Sequence, residues 1–409
     1  MPNKKESLLS REYIMLTCIN FFMSINFYTL LLVIPPYGIE KFNMSEWEAG
    51  LGAGLFVVGV LSSRFFSATL IDKTGFKKLL SICVIVLVVF SAGYFVVLNP
   101  FMLFALRIIN GFAFGLISTI DITIVTLVIP ANRTGEGIGY YAMGQILATA
   151  VGPSIGMYFL NGADGADYNT IFAICTILPA ITIAFLPFMR INQIAPKSKT
   201  GVVKNGNIID KFIERRVLKI GWMCLLIFIS YASVSSFMAL YAESIDLVQP
   251  AKYFFIFVAV SMFVSRPSVS KIFDRKGANI VIFPALLMFA LGFLLLSLSK
   301  NGVTLTISAL LIGLGLGGVQ SSTLAMVFHI SPMNRLVVAN STYYMFLDTA
   351  MSVGPVIGGA IVGVAGYREM YFIGFILLMI CIPIYYVFYG KHARKSESGI
   401  VKHDSKADK

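Results

Sequence analysis

The chain predicts an all-α membrane protein of twelve transmembrane helices, arranged as two parallel six-helix repeats. Three observations carry that fold class. Of the 409 residues, 57% are hydrophobic and only 13% charged, with mean hydropathy +0.83, whereas a soluble domain carries roughly a quarter charged residues. Twelve apolar stretches approach the ~20 residues that a bilayer-spanning helix needs. The third observation is an internal repeat at an offset of 202 residues.

The repeat is read pair by pair. Ser63-Arg64 followed by Asp72-Lys73-Thr74-Gly75 returns as Ser265-Arg266 followed by Asp274-Arg275-Lys276-Gly277. Gly111 and Gly115 return as Gly313 and Gly317, and Gly152-Pro153-Ser154-Ile155-Gly156 as Gly354-Pro355-Val356-Ile357-Gly358. A constant offset means two copies in the same order. Six spans return the chain to its starting side, so the copies are parallel rather than inverted. In a membrane protein this pattern marks a two-halved transporter.

Taken in order, the first stretch (13–34) is too long for a signal-peptide core and lacks a small-residue cleavage site, so it reads as a retained span. Glu46 and Glu48 open the second (47–70), where carboxylates suit a helix N-terminus. Spans follow at 79–98, 101–124, 138–160 and 169–189. The second copy places them at 217–240, 252–272, 279–298, 303–326, 338–361 and 369–389. With the N-terminus inside, 25 of the 32 Lys and Arg fall in inner segments and four in outer loops. That bias puts both termini in the cytoplasm, at the cell (plasma) membrane of an organism whose Lys-, Ile-, Phe- and Asn-rich coding points to an AT-rich bacterial genome. It also accounts for the net charge of +12 without nucleic acid as a partner.

The organisation is therefore an N-terminal six-helix bundle (1–189), a cytoplasmic linker (190–216), a C-terminal bundle (217–389) and a cytoplasmic tail (390–409). The linker is polar and basic, with a short surface helix expected near 208–216, and its charge suits the anionic inner leaflet. The five cysteines all fall in spans without a CxxC pair and read as small buried apolar residues.

At the loop after span 2, Asp72, Lys73, Gly75, Lys77 and Lys78 resemble the G-x-L-a-D-r-x-G-r-k signature of the major facilitator superfamily, with Ala68 at the first Gly. The likeness covers the whole chain. Arg107-Ile108-Ile109-Asn110-Gly111 resembles its R-x-x-Q-G motif, with Asn for Gln. Gly144, Ala148, Gly152-Pro153 and Gly156 resemble the G-x-x-x-G-P-x-x-G signature of its proton-coupled antiporters, with Met157 in place of a final Gly. The resemblance implies a drug or metabolite exporter driven by protons through alternating access. It implies that Asp72 latches the cytoplasmic side of the two halves, with Arg133 as a plausible partner, and that spans 5 and 11 lie where the halves meet.

The residues themselves support several expectations. Gly144, Ala148, Gly152 and Gly156 share one helical face, where small side chains admit a neighbouring helix, and Pro153 bends it. Span 11 repeats this with Ala350, Gly354, Pro355 and Gly358. The gating set is thus Asp72, Gly75, Arg133, Gly152, Pro153, Gly156, Gly354, Pro355, Gly358, Asp274 and Gly277. Asp72 is placed to cap a helix or pair with an Arg. Ordinary tight packing and positive-inside topology are the plainer readings of the glycines and of Lys73, Lys77 and Lys78.

For coupling or substrate, Arg107 stands out. It sits ~10 Å into span 4, where a cation costs at least ~2–3 kcal/mol unless paired or hydrated. It is expected to face water or a carboxylate, or else to be fixed in a permanent pair. Asp348 lies mid-span 11, where low dielectric disfavours the charged carboxylate. The sequence favours it as the proton-responsive group over Asp121, which lies towards the inner end of span 4 and is expected to meet inner-face water or Arg64. Asn110, Asn26 and Gln320 complete the candidates, with helix–helix glue the plain alternative for each Asn. The halves diverge at Arg107 against Ala309 and at Asp348 against Ile146.

No catalytic residues or metal ligands are assigned: only three His occur, without a nucleophile, metal or phosphate-loop pattern. Gly313–Gly318 lies inside an apolar span with no following Lys and reads as helix packing. No cofactor is expected beyond an ion gradient. The expected partners are a small-molecule substrate and membrane lipids, with a monomer as the working unit. Alternatives are export of a polar metabolite or metallophore, with Arg107 meeting a substrate carboxylate, an uptake symporter, or a membrane receptor without flux.

Overall fold

A computed structural model describes residues 10–130, 134–160, 165–190, 213–332 and 335–391. Twelve of its helices are long and apolar enough to cross a membrane. In chain order they are α1 (Arg11–Phe42), α2 (Glu46–Thr74), α3 (Phe76–Ala92), α4 (Pro100–Val128), α5 (Thr134–Leu160), α6 (Tyr168–Ile183), α7 (Leu218–Ser244), α8 (Phe254–Lys276), α9 (Ala278–Ser297), α10 (Gly302–Ile330), α11 (Leu336–Ala365) and α12 (Tyr367–Tyr385). The protein is an all-α, multi-pass membrane protein. Of the expected linker 190–216, only Arg190 and residues 213–216 are described, with Arg215–Val217 a 3₁₀ turn entering α7; most of the surface helix expected near 208–216 lies outside the described residues. The tail beyond Lys391 lies outside the described residues.

The first span corrects the sequence reading. The sequence places the apolar stretch at 13–34, yet α1 runs through Pro35 and Pro36 to Phe42. The segment Met23–Gly38 is buried throughout, so packing holds the helix where two amide donors are missing. It ends at Asn43, φ 50°, with Met44 N–H bonded to Gly38 O, a left-handed stop that Asn tolerates. The one-turn helix Val248–Ala251 before α8 was also unforeseen.

Helix starts follow capping chemistry. Ser45 and Glu48 form a capping box on α2, which fulfils the expectation for its acidic first turn. Asn99 accepts from Met102 N–H at the head of α4, and Asn301, 202 residues on, accepts from Thr304 N–H at the head of α10. The turns after α2 and α8 match as well: Gly75 and Gly277 both take φ 81°, a region glycine enters without a Cβ penalty.

The chain forms two compact units. The first comprises residues 1–204 with Ser235–Leu240 and Pro355–Ala360; the second comprises 205–234, 241–354 and 361–409. Within the first unit α2 packs on α4, α1 on α5, and α3 on α6; within the second, α8 and α9 both pack on α10, and α9 on α12. The close helix pairs repeat. A Cβ on Gly111 would overlap Phe56 O, and one on Gly313 would overlap Val258 O. Gly115 lies against Ser63 and Val60, Gly317 against Ser265 and Met262. Each contact in one unit is thus the other shifted by 202, and Gly313–Gly318 is helix packing.

Candidate functional site

Arg107 lies in α4 with no exposed surface. Its Nε donates to Gly52 O at 3.1 Å and its Nη2 to Ala53 O at 3.0 Å, while its Cζ sits 4.8 Å from the Phe56 ring centroid. Small residues on α2 leave those two carbonyls reachable. Charge-assisted hydrogen bonds and the aromatic face compensate part of the desolvation, but Nη1 lacks a well-formed hydrogen bond. This corrects the sequence expectation: the guanidinium meets neither water nor a carboxylate. Carbonyl oxygens and a π face supply partial negative charge where an ion pair was expected.

Beside it, Asn110 Nδ2 donates to Tyr94 Oη at 3.2 Å. Tyr94 is fully buried in the 3₁₀ turn that closes α3 and stacks on Phe172 at 5.4 Å. Asn26 is also fully buried, and its Nδ2 donates to Cys175 O at 2.5 Å and Ser91 Oγ at 3.5 Å. The α6 residue four beyond Cys175 is Pro179, which has no N–H, so Asn26 satisfies the carbonyl that proline frees. Asn26 therefore works as glue between α1 and α6.

Further along α4, Asp121 is 1% exposed. Its Oδ2 accepts from Tyr141 Oη of α5 at 2.8 Å, and its Oδ1 has no hydrogen-bond partner. Neither inner-face water access nor Arg64 answers it, contrary to expectation. In the second unit Thr323 and Tyr343, each 202 residues on, share a hydrogen bond of 2.9 Å. The tyrosine and its grip on the neighbouring helix repeat; the partner changes from carboxylate to hydroxyl. Tyr141 was missed from sequence, although its recurrence as Tyr343 was the signal available. Tyr94 was missed too, and Leu296 at the matching position offers no such signal.

The small face of α5 is turned to α1 of its own unit. Gly144 faces Thr17 and Phe21, Gly152 faces Ile25, Tyr28 and Thr29, and Gly156 faces Leu32 and Val33. Thr29 Oγ1 donates to Gly152 O at 2.9 Å. In α11, Gly354 lies against Ile229 and Ala232 of α7, and Ser233 Oγ donates to its carbonyl at 3.2 Å. What these glycines visibly serve is close packing inside each unit. Pro153 lies inside the continuous helix α5, next to the Gly152 contact; Pro355 and Gly358 are buried in the segment of α11 that clusters with the first unit.

Asp72 is exposed at the end of α2, and α3, whose N-cap is Gly75, carries no side-chain cap. Arg133 and the side chain of Asp274 lie outside what is described. Arg335, the repeat counterpart of Arg133, pairs through Nε with Glu214 at 2.6 Å and donates from Nη2 to Ile213 O at 3.2 Å. Glu214 N–H in turn donates to Thr342, tying the entry of α7 to α11. Asp348 and Gln320 are half-buried on α11 and α10 of the second unit, whereas Arg107 and Asp121 belong to the first.

The sequence profile described as Major Facilitator Superfamily matches residues 16–346 and 277–407. A protein of Lactococcus lactis subsp. lactis named multi-drug resistance efflux pump PmrA homolog is 23% identical over 90% of this chain and 92% of its own. Multidrug resistance protein MdtG of Dickeya zeae is 21% identical over 86% of each. Among solved structures, a bacterial homologue of the human lysosomal transporter Spinster matches with TM-score 0.73 and 16% identity, over 94% of this chain and 97% of that one. The nucleoside transporter NupG matches with TM-score 0.69 and 15% identity, over 92% and 99%. Twelve membrane-crossing helices, a 202-residue parallel repeat and a family match along the chain lead to one conclusion: this protein is a member of the Major Facilitator Superfamily of membrane transporters, and not an enzyme.

Proposed function

We propose that the protein exports small amphiphilic molecules in exchange for protons, by rocking alternating access, from the plasma membrane of a bacterium with both termini in the cytoplasm. The observation that carries this reading is an agreement. The α5 sequence resembles the exporter signature, and relatives aligned over most of the chain bear the names of efflux pumps. The concentration of Lys and Arg in alternate loops supports the orientation. Proton coupling is supported by a carboxylate buried within the first unit. The chain has no nucleotide-binding motif, so an ion gradient is the proposed energy source, with the monomer as the working unit and Asp72 and Arg133 as the proposed latch. Export of a polar acid through Arg107 has less in its favour, because the guanidinium is sealed and already engaged by two carbonyls.

Purified protein in liposomes tests the proposal, with ethidium as the probe. Flux that accelerates when the pH gradient opposes the direction of dye movement, and collapses with an uncoupler, is the expected result. Flux indifferent to the gradient removes the antiport reading.

A further inference from the structure

We infer that Asp121 is the group that takes up and releases the coupling proton, held in position by the hydroxyl of Tyr141. This inference rests on the proton-coupled reading above and assigns the residue that performs it. It moves the proton site from α11, where the sequence favours Asp348, to α4 in the first unit.

Three observations meet at this residue. Asp121 is 1% exposed in α4, a helix whose Ile117, Ile120 and Ile124 belong to an apolar cluster that also holds Tyr13, Leu16, Leu80, Leu87 and Asp121's own partner Tyr141. It receives one hydrogen bond, at Oδ2, and Oδ1 has none. An ionised carboxylate in such surroundings needs a cation or several donors, and here it has a single hydroxyl. The unbonded Oδ1 is where a proton adds as the site dries and from which it leaves when the site wets. The step is proton transfer alone, with no other bond made or broken.

The elements packed around α4 carry few charged or titratable groups near this level. From α1 these are Tyr13, whose hydroxyl donates to Gly137 O, and Cys18. From α2 they are Arg64, Asp72 and Lys73. From α3 they are Lys77, which donates to Met189 O, Lys78 and Cys83. From α5 they are Tyr140, exposed, and Tyr141; the side chain of Glu136 lies outside the described residues. Among the described residues only Tyr141 bonds to Asp121. Arg107 is on the same helix but nearly four turns away.

The second unit isolates the role. Thr323 and Tyr343 keep the same inter-helix bond at 2.9 Å with a side chain that cannot ionise. The bond is therefore part of the scaffold, and only the first unit places a carboxyl group in it. The same comparison supplies a substitution that the fold already accommodates, Asp121→Thr.

Infrared pH-difference spectra of the purified protein read carboxyl protonation directly and need no transported substrate. The wild-type protein is expected to show a protonated-carboxyl band that appears and vanishes on titration. The band should be absent from Asp121→Thr and shifted in frequency in Tyr141→Phe. A band retained unchanged in Asp121→Thr, or removed instead by Asp348→Asn, overturns the assignment; an unshifted band in Tyr141→Phe overturns the role of the tyrosine. Should Asp121→Thr fail to yield folded protein, Asp121→Asn and the Tyr141→Phe shift carry the same decision. In liposomes with ethidium, Asp121→Thr should lose gradient-driven flux to the level of empty vesicles. If wild-type flux ignores the gradient while the band still titrates, the antiport reading and with it the coupling role fail, and Asp121 remains only as a titrating group.

Discussion

The contact of α2 with α4 in the first unit and that of α8 with α10 in the second are built on the same frame and filled in opposite ways. In the first, Gly52 and Ala53 face a large Arg107. In the second, the matching positions hold Phe254 and Phe255 on the first helix and Ala309 on the second, all buried. Volume has changed sides while the glycine contacts between the helices stayed. Asn110 corresponds to Ile312, and Tyr94 to Leu296. One copy keeps a buried polar cluster and the other an apolar core. The lesson is that glycines at the helix contact set the frame, and the frame tolerates either filling if volume is conserved.

Exchanging the fillings should break this comparison most severely. Ala309→Arg would drive a cation against Phe254 and Phe255 with no small neighbour to expose a carbonyl, and is expected to abolish folded protein in size-exclusion profiles. Arg107→Ala removes a buried side chain together with two hydrogen bonds and should cost about 3 kcal/mol or more, read as a lower melting temperature in detergent. If Arg107→Ala melts like the wild type, the carbonyl cradle is not what retains this residue.

The tyrosine pair sharpens the comparison on a smaller scale. Tyr343→Phe leaves Thr323 still bonded to Val319 O and should cost about 1 kcal/mol. Tyr141→Phe strips the buried Asp121 carboxyl of the hydrogen bond it has, and should cost about 1–3 kcal/mol. Equal losses in denaturation of the two variants would contradict the difference drawn between the units.

The smallest effect is expected at the heads of α6 and α12. Asp167 caps α6 through Thr170, whose hydroxyl and N–H hold its exposed carboxyl below the ordinary carboxylate range, whereas α12 starts from Gly366 with no side-chain cap. A depressed folded-state value means the contribution is present above the unfolded carboxylate range and is lost as pH falls through the folded one. Asp167→Ala should therefore lower the melting temperature slightly at neutral pH and not at all in acid.

Much of the fold was legible in the sequence because its causes are local or periodic. Span length, the Gly75 and Gly277 turns, the Ser45–Glu48 box and the pairing of Gly111 with Gly313 all follow from residue types at fixed spacings. The apolar stretch 13–34 ends before α1 does, because the helix runs on through Pro35-Pro36 to Phe42 where burial holds it. The sites were less legible. Arg107 was correctly marked as costly, but its partners are backbone carbonyls, which every residue possesses and no sequence pattern singles out. Asn26 stayed open between ligand contact and helix glue, because the carbonyl it serves is freed by a proline 153 positions away.

The sequence alone determined that this chain is a twelve-helix membrane protein built from a repeated six-helix unit, since apolar length and a constant offset are properties of the order of residues. It also marked where the copies differ. The tertiary structure decided what those differences mean: that Arg107 is held by Gly52 and Ala53, that the glycines of α5 serve α1, and that Asp121 shares with Tyr141 a bond whose twin needs no charge. Each depends on which atoms of distant helices come within about 3 Å, and that is settled by packing rather than by spacing along the chain.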